Sequence, residues 1–385
     1  MSGAGPGSPC VLSVCDFLVK YTASLTAAMA REGARAALLT RTHDLEFGGE
    51  PGARAAYLGQ MLGADAQLLT LAGRPRHPRT WPETRRLART IRELAPHVVH
   101  VQQTSVNDPR LLAAAGLRSG RYAYTIHDIE RHPGDEGGRR RHDWIDTRLA
   151  RRAGVIFVHA DALVEQVHRR IGEHVPIEVV PHGVVPSSSL PASPGRELLF
   201  FGRLSWYKGL DVLLDAMPAV WERLGDVTLS VAGDGVLPDH PLLADERVRV
   251  RHEYVPEDEL PGLFGRASVV VLPYREASQS GVGSLAKGFG RPLVATRTGG
   301  LPELLADGSG LLVDPEDPAA LAGAIVEVLT RPGLSERLVA AGTAGILARS
   351  GWPRVAELTL AAYERHGLLA AGRGSWAAAA ASSAA

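Results

Sequence analysis

Short uninterrupted apolar runs alternate along the chain with longer stretches whose apolar positions recur every three to four residues. This is the pattern of parallel strands separated by amphipathic helices. The expected strands of the first half are CVLSVC from Cys10, ARAALLT from Ala34, VVHVQ from Val98, YAYTIH from Tyr122, GVIFVH from Gly154 and IEVVP from Ile177. Between them the spacing predicts helices over Tyr21–Glu32, with Leu25, Ala28 and Met29 on one face, and over Trp81–Leu94, with Leu87, Ile91 and Leu94 facing a core. A Ser- and Pro-rich stretch, VVPSSSLPASPG, then reads as a linker over 184–195. A second series follows: ELLFFG from Glu197, VTLSVAG from Val227, VRVRHEYV from Val248, SVVVLP from Ser268, PLVAT from Pro292 and GLLVD from Gly310. Its helices are expected over Leu210–Leu224, Leu285–Phe289 and Pro318–Leu329, with a last one over about Pro353–His366. The expected architecture is two doubly wound α/β domains facing a cleft, with ligands beyond the carboxyl ends of the strands.

Composition narrows the classes. A chain of 385 residues, 45% of them apolar, has enough for two domains with sizeable cores. Zero formal net charge argues against bulk nucleic-acid binding. Of 42 basic residues only Lys20, Lys208 and Lys287 are lysines, a bias that reads as GC-rich bacterial coding and draws attention to the three. Cys10 and Cys15, if on one strand, lie roughly 16 Å apart, beyond disulfide reach. That spacing is no zinc motif either, and it suits a reducing compartment. With no signal-like N-terminus and no apolar run of membrane length, a cytoplasmic location is expected.

The chemistry gathers where strands end. In FFGRLSWYKG a strand stops at Gly202, Arg203 follows, and Lys208 opens a helix, a spacing that lets both cations reach one anion. In VVVLPYREASQSGVGSLAKG a buried strand runs into Glu276 and then Ser280, Gly281, Val282 and Gly283. Free amides at a helix start make an anion site, and glycines allow close backbone approach. Glu276, acceptor-only, suits sugar or ribose hydroxyls. A solvated Arg, a plain helix cap and a solvated Glu are the alternatives. The acidic loop with Asp44, Glu46 and Glu50 fits a cationic acceptor or plain solvation. Arg139–Arg141 and Arg85, Arg86, Arg89 and Arg92 fit anionic lipid or a solvated face.

GRLSWYKG, VAGDG, YVPEDEL, the strand ending in Glu276, GFGRPLVAT, TGGLPEL and GLLVDPED resemble, in order and spacing, the family 4 glycosyltransferases. These are retaining, nucleotide-sugar-dependent enzymes of the GT-B fold. The resemblance covers about Glu197–Leu329, and more loosely YTIHD and VVPHGV in the first half. It implies an N-terminal acceptor-binding domain over 1–183, a nucleotide-sugar domain over 196–352, a helix over 353–369 crossing back to the first domain, and a disordered tail over 370–385. It further implies that Arg203 and Lys208 hold the donor diphosphate, with amides of Ser280, Gly281 and Val282. Glu276 would contact donor-sugar hydroxyls. Gly202, Gly233, Gly235, Tyr254 and Val255 would border the nucleotide, Gly299, Gly300 and Glu303 would line the donor pocket, and His127 would face the transferring sugar. Asp16, Asp128 and His182 are the acceptor-side candidates, Asp128 being placed to fix the His127 tautomer. No metal and no cofactor are expected beyond the donor substrate.

The family usually carries a second Glu eight residues after the first, on the ribose hydroxyls. Here that place holds Ser284, or Leu285 when aligned from Gly290 and Pro292. A one-residue insertion near Glu276 explains both offsets, and the chain resembles an SQSGV-type subgroup. The function implied is retaining sugar transfer to a hydroxyl acceptor, a small natural product in the first instance, without stable membrane association. Transfer to lipid-linked or polysaccharide glycans, a nucleotide-sugar epimerase or hydrolase, and a non-catalytic nucleotide-sugar-binding subunit are the rivals.

Overall fold

The computed structural model describes residues 8–16, 18–42, 52–72, 81–102, 109–127, 140–184, 195–277, 280–370, 375, 376 and 380. They form two compact units. One is Val184–Gly351; the other comprises the described residues up to Gly183 together with those from Trp352 onward.

The first unit holds a seven-stranded parallel sheet in the order β3-β2-β1-β4-β5-β6-β7. Its strands are β1 (Cys10–Val14), β2 (Arg35–Arg41), β3 (Ala66–Leu71), β4 (Val98–Gln102), β5 (Tyr122–Thr125), β6 (Val155–Val158) and β7 (Ile177–Val179). The apolar runs place all of these but β3. AQLLTL, an edge strand with two of its six residues buried, is interrupted by Gln67 and Thr70 and does not read as a continuous apolar run. The second unit holds a six-stranded parallel sheet, β10-β9-β8-β11-β12-β13. Its strands are β8 (Glu197–Phe201), β9 (Thr228–Ala232), β10 (Val248–Arg251), β11 (Ala267–Leu272), β12 (Leu293–Thr296) and β13 (Gly310–Val313). Central strands are apolar on both faces because helices cover both. Val269, Val270, Val271 and Leu272 of β11 are wholly buried, each side chain contributing about 1.5–3 kcal/mol.

In each sheet the first strand lies between the second and a later one, so the winding reverses beside β1 and beside β8. The crevice at the carboxyl ends there is where such sheets take ligands. Each unit has its own such place, flanked by the ends of β1 and β4 in the first unit and by those of β8 and β11 in the second. The chain leaves the first unit at Gly183 and returns at Trp352. Val184 and Gly351 run side by side, the Val184 amide donating to Ser350 O at 2.8 Å. The returning helix, Trp352–Arg365, packs on the helix Val19–Arg31. Its Val355, Leu360 and Tyr363 are fully buried among Val11, Leu25, Met29 and Phe157. Spacings of three to five along the helix put these residues on one face, as the sequence pattern required. Beyond it, Trp376 packs on the same cluster and Ser375 Oγ donates to Glu364 at 2.6 Å. The other residues of the linker and tail lie outside those described, except Val184, Gly195, Ala370 and Ala380.

Candidate functional site

The carboxyl end of β8 opens directly into a glycine with left-handed backbone, Gly202 (φ +110°). A methyl group there would lie 3.1 Å from Val282 Cγ2 and 3.5 Å from Lys208 Nζ. The residues after β8, the turn Trp206–Lys208 and the start of the helix Gly281–Gly288 therefore converge on one point. Two devices hold them there. Gly209 (φ +66°) lies so close to Pro273 that a Cβ would meet its carbonyl oxygen at 2.0 Å. Arg275 clamps the same turn: its fork donates to both Asp211 oxygens at 2.9 and 2.8 Å, to Trp206 O at 2.9 Å and to Glu316 at 3.0 Å. Such a planar bidentate clamp is beyond a lysine.

Lys208 is 8% exposed. Its ammonium donates to Tyr274 Oη at 2.9 Å and sits 4.4 Å from the centre of the Tyr274 ring. Among the described residues no carboxylate pairs with it, so a buried cation with three donors has one hydroxyl and two aromatic faces for company. Tyr274 Oη lies 3.3 Å from Ser280 Oγ, which caps the helix by accepting from the Gly283 amide at 3.0 Å. The other amides of that first turn belong to Gly281, exposed with nothing near a would-be Cβ, and to Val282. A buried ammonium with no carboxylate partner among the described residues, beside helix-start amides, is an arrangement suited to an anion.

Beside it is a cavity of about 520 Å³ lined by Gly202, Arg203, Gly233, Gly235, Tyr254 and Val255, among others. Arg203 is exposed at its edge. Gly233 and Gly235, with φ of +151° and +135°, let two strand-end loops press together: side chains there would run into Gly202 O at 1.9 Å and Leu204 O at 2.2 Å. Gly299 (φ +51°) lies against Ala277, with its would-be Cβ 1.3 Å from the Ala277 oxygen. The Gly299–Gly300 turn is thus held beside Glu276, whose exposed carboxylate makes no hydrogen bond among the described residues. Glu303 is exposed in the following helix, Leu301–Leu304. Leu285 packs into the hydrophobic cluster of the unit and Ser284 is buried, so no carboxylate side chain arises from either position.

The lysines divide. Lys287 is structural: its buried ammonium pairs with Asp307 and donates to Leu304 O at 2.9 Å. Lys20 lies over the Tyr57 ring at 5.3 Å. Only Lys208 faces the site. Tyr274 and Arg275 are contributors that the sequence reading passed over. Their position between a buried strand and Glu276 was a usable signal, but their partners Lys208 and Asp211 are more than 60 residues away in the chain.

In the first unit Asp16 follows β1 and is buried. Arg41 (2.5 Å) and Arg54 (3.8 Å) neutralise it, and Arg54 also donates to the Asp16 oxygen and to Thr40 Oγ1. The carboxylate anchors β1 to β2 and to the helix Ala53–Leu62. His127 follows β5 in a cluster with the buried His100, His159 and Tyr21 and the half-buried His182. His127 Nε2 lies 2.8 Å from the Gln102 amide, and its Nδ1 lies 3.2 Å from His159 Nε2. His182 Nδ1 donates to Gly183 O at 3.2 Å. Burial lowers all four imidazoles: His182 to about 4, His100 and His159 to about 3, and His127 well below its ordinary value with neighbouring imidazoles adding to the effect. Asp128, the acidic loop and Arg139 lie outside the described residues, as do the side chains of Arg140 and Arg141. No group of three or more His, Cys, Asp or Glu among those described is placed to hold a metal ion, and no described helix is long and apolar enough to cross a membrane.

The chain matches two family models in tandem: "Glycosyl transferase 4-like domain" over residues 18–183 and "Glycosyl transferases group 1" over 195–331. Over 301 residues it is 28% identical to glycogen synthase of Mycobacterium tuberculosis, covering 74% of this chain and 71% of that protein. It is 33% identical over 211 residues to D-inositol 3-phosphate glycosyltransferase of Segniliparus rotundus, 49% of this chain and 46% of that one. Two solved structures share the fold: sucrose-phosphate synthase of Thermosynechococcus elongatus (TM-score 0.67, 17% identity, 93% and 98% of the two chains) and Anabaena Alr3699/HepE in complex with UDP-glucose (0.65, 18%, 90% and 97%). The paired parallel sheets and the returning helix define the GT-B fold. With the tandem matches, the chain belongs to the family-4-like, nucleotide-sugar-dependent glycosyltransferases, enzymes that move a sugar from a nucleoside-diphosphate donor to an acceptor.

Proposed function

We propose that the chain transfers a sugar with retention at the anomeric carbon, without a metal, to a hydroxyl of a small acceptor. The observation that carries this reading is Lys208, a buried ammonium with no carboxylate partner among the described residues, beside the open amides of the helix Gly281–Gly288. In this reading Lys208, Arg203 and the amides of Ser280, Gly281 and Val282 take the donor diphosphate and do the work that a divalent cation does elsewhere. Gly233, Gly235, Tyr254 and Val255 border the base and ribose. Glu276, Gly299, Gly300 and Glu303 surround the sugar. The missing second Glu marks the SQSGV-type variant, with the ribose held by Ser284 or by backbone.

As the bond from the anomeric carbon to the phosphate oxygen breaks, negative charge grows on the phosphate and positive charge on the ring. Donors fixed in advance stabilise that charge more in the transition state than in the ground state. The acceptor oxygen bonds to the anomeric carbon on the face the phosphate leaves, and its proton goes to the departing phosphate oxygen. His127 faces the transferring sugar, but as a contact and not as the acceptor of that proton, because burial keeps it a weak base. The likeness to glycogen synthase supports a second reading, a growing polysaccharide as acceptor. Support for a uridine nucleotide comes from the solved relative in complex with UDP-glucose. The test is a donor and acceptor panel run in chelator, with product configuration followed by proton NMR. An α-configured product from an α-linked donor supports the proposal; inversion, or a rate abolished by chelator and restored by a divalent ion, overturns it.

A further inference from the structure

With neutral imidazoles, a proton order for the histidine cluster can be built outward from Val180. Val180 O can only accept, so His159 Nδ1, 2.9 Å away, carries a proton and donates. Neutral His159 then accepts at Nε2, and His127 donates from Nδ1 across 3.2 Å. His127 Nε2 is therefore a lone pair, and what meets it at 2.8 Å must be a donor. That assigns the near end of the Gln102 side chain to the amide nitrogen rather than the oxygen, the two being distinguishable only by their partners. The amide oxygen then faces His100 Nε2 at 3.4 Å, which carries a proton and also donates to Thr125 Oγ1 at 2.7 Å. His100 Nδ1 is left to accept, and the Tyr363 hydroxyl supplies its proton at 2.6 Å.

We propose that Gln102 and Tyr363 are positioning residues for the transfer reaction. Tyr363, His100, Gln102, His127 and His159 form one hydrogen-bond chain of single polarity, ending on Val180 O, that fixes the ring and tautomer of His127 from the C-terminal helix. The catalytic part of this statement rests on the proposed function; the proton order does not. The chain is dry: Gln102, His100, His127, His159 and Tyr363 are all buried. The groups packed round His127 include Tyr21 from the helix Val19–Arg31, Gln102 and His100 from β4, His159 after β6 and His182 after β7. Neutral imidazoles in that setting suit the lowered basicity of the cluster. A fixed polarity also gives a reason for a tyrosine on the returning helix. Its hydroxyl, 263 residues from His100 in sequence, starts the chain.

The experiment uses the full-length protein labelled with ¹⁵N-histidine, assigned through single His→Gln variants. At neutral pH, His127 and His159 should show Nδ1–H tautomers and His100 an Nε2–H tautomer. An Nε2–H tautomer or an imidazolium at His127 overturns the proton order. Gln102→Glu places an acceptor-only group on His127 Nε2 and forces proton uptake, so the kcat–pH profile should gain an ionisation that wild type lacks between about pH 6 and 9. Gln102→Met and Tyr363→Phe, which cut the chain at two points, should each lower kcat about tenfold with the donor KM unchanged. Unaltered kcat in both, with the wild-type tautomers as stated, overturns the positioning role and leaves the sugar-transfer reading intact. Failure of wild type to turn over any donor removes that reading, while the tautomers still decide the proton order.

Discussion

The anion site after β8 and the histidine cluster after β5 occupy matching places, each at the carboxyl end of a parallel strand, yet they are built on opposite principles. The first is left open: a buried ammonium with one hydroxyl partner, a helix start exposed at Gly281, and an exposed Glu276. The second is closed: His100, His127 and His159 find partners for both ring nitrogens inside their own unit. A site kept short of partners invites a charged ligand at the expense of stability. A saturated one offers rigidity and takes no proton. The two also show how a fold can put binding chemistry and positioning chemistry on the same structural element by changing only what the strand runs into.

The sharpest way to break this contrast is acid. Imidazoles whose folded values lie below the unfolded value of about 6.5 make no contribution above that pH, where both states are neutral. Below it the unfolded chain binds protons that the folded one refuses, so stability is lost as pH falls from about 6.5 towards about 4 for His182 and about 3 for His100 and His159. Each histidine should remove on the order of 1 kcal/mol per pH unit. Urea unfolding followed at pH 7, 6 and 5 should show a steeply falling midpoint; a constant midpoint would mean that the cluster is wet.

Lys208→Met tests the open site. Turnover should drop roughly 100-fold or more, about 2.7 kcal/mol of transition-state stabilisation. The unfolding midpoint should rise, corresponding to roughly 1 kcal/mol of added stability, because a buried charge without a carboxylate partner has been removed. A variant that loses both activity and stability would make Lys208 a structural cation. Glu276→Gln should separate sugar from nucleotide. Affinity for the free nucleoside diphosphate stays within about twofold, and donor turnover falls about tenfold as a charge-assisted hydroxyl contact weakens. Equal losses in calorimetric binding of the two ligands would move Glu276 to the nucleotide. The smallest effect concerns ribose. With Leu285 packed against the core and no carboxylate at either position, 2′-deoxyribose donors should react within about tenfold of ribose donors. A larger preference in initial rates would reveal a strong ribose contact elsewhere.

Much of the open site was legible because its parts are local. Gly202, Arg203 and Lys208 sit in one short segment, and Ser280–Gly283 in another, each with the residue types that phosphate binding demands. β11 announced itself because both of its faces are buried, and β3 did not because Gln67 and Thr70 interrupt its apolar run. The histidine cluster was far less legible. YTIHD drew attention to His127, but nothing in the sequence joins it to Gln102, His159 or Tyr363, which come from three other elements.

Residue order alone determined the alternation of strand and helix, the two-part division of chemistry, and the glycines where backbones must touch or turn left-handed, as at Gly202 and Gly299. Those properties depend on neighbours within a few residues, through periodic burial and allowed backbone angles. Tertiary structure alone decided which lysine stayed unpaired, since Lys208 and Lys287 are alike in sequence and differ only in whether a carboxylate, Asp307, folds against them. It likewise decided the direction of the hydrogen-bond chain, because a proton's position on an imidazole is set by the group across the gap, and the chain brings those groups together only when β4, β5, β6 and the last helix have packed.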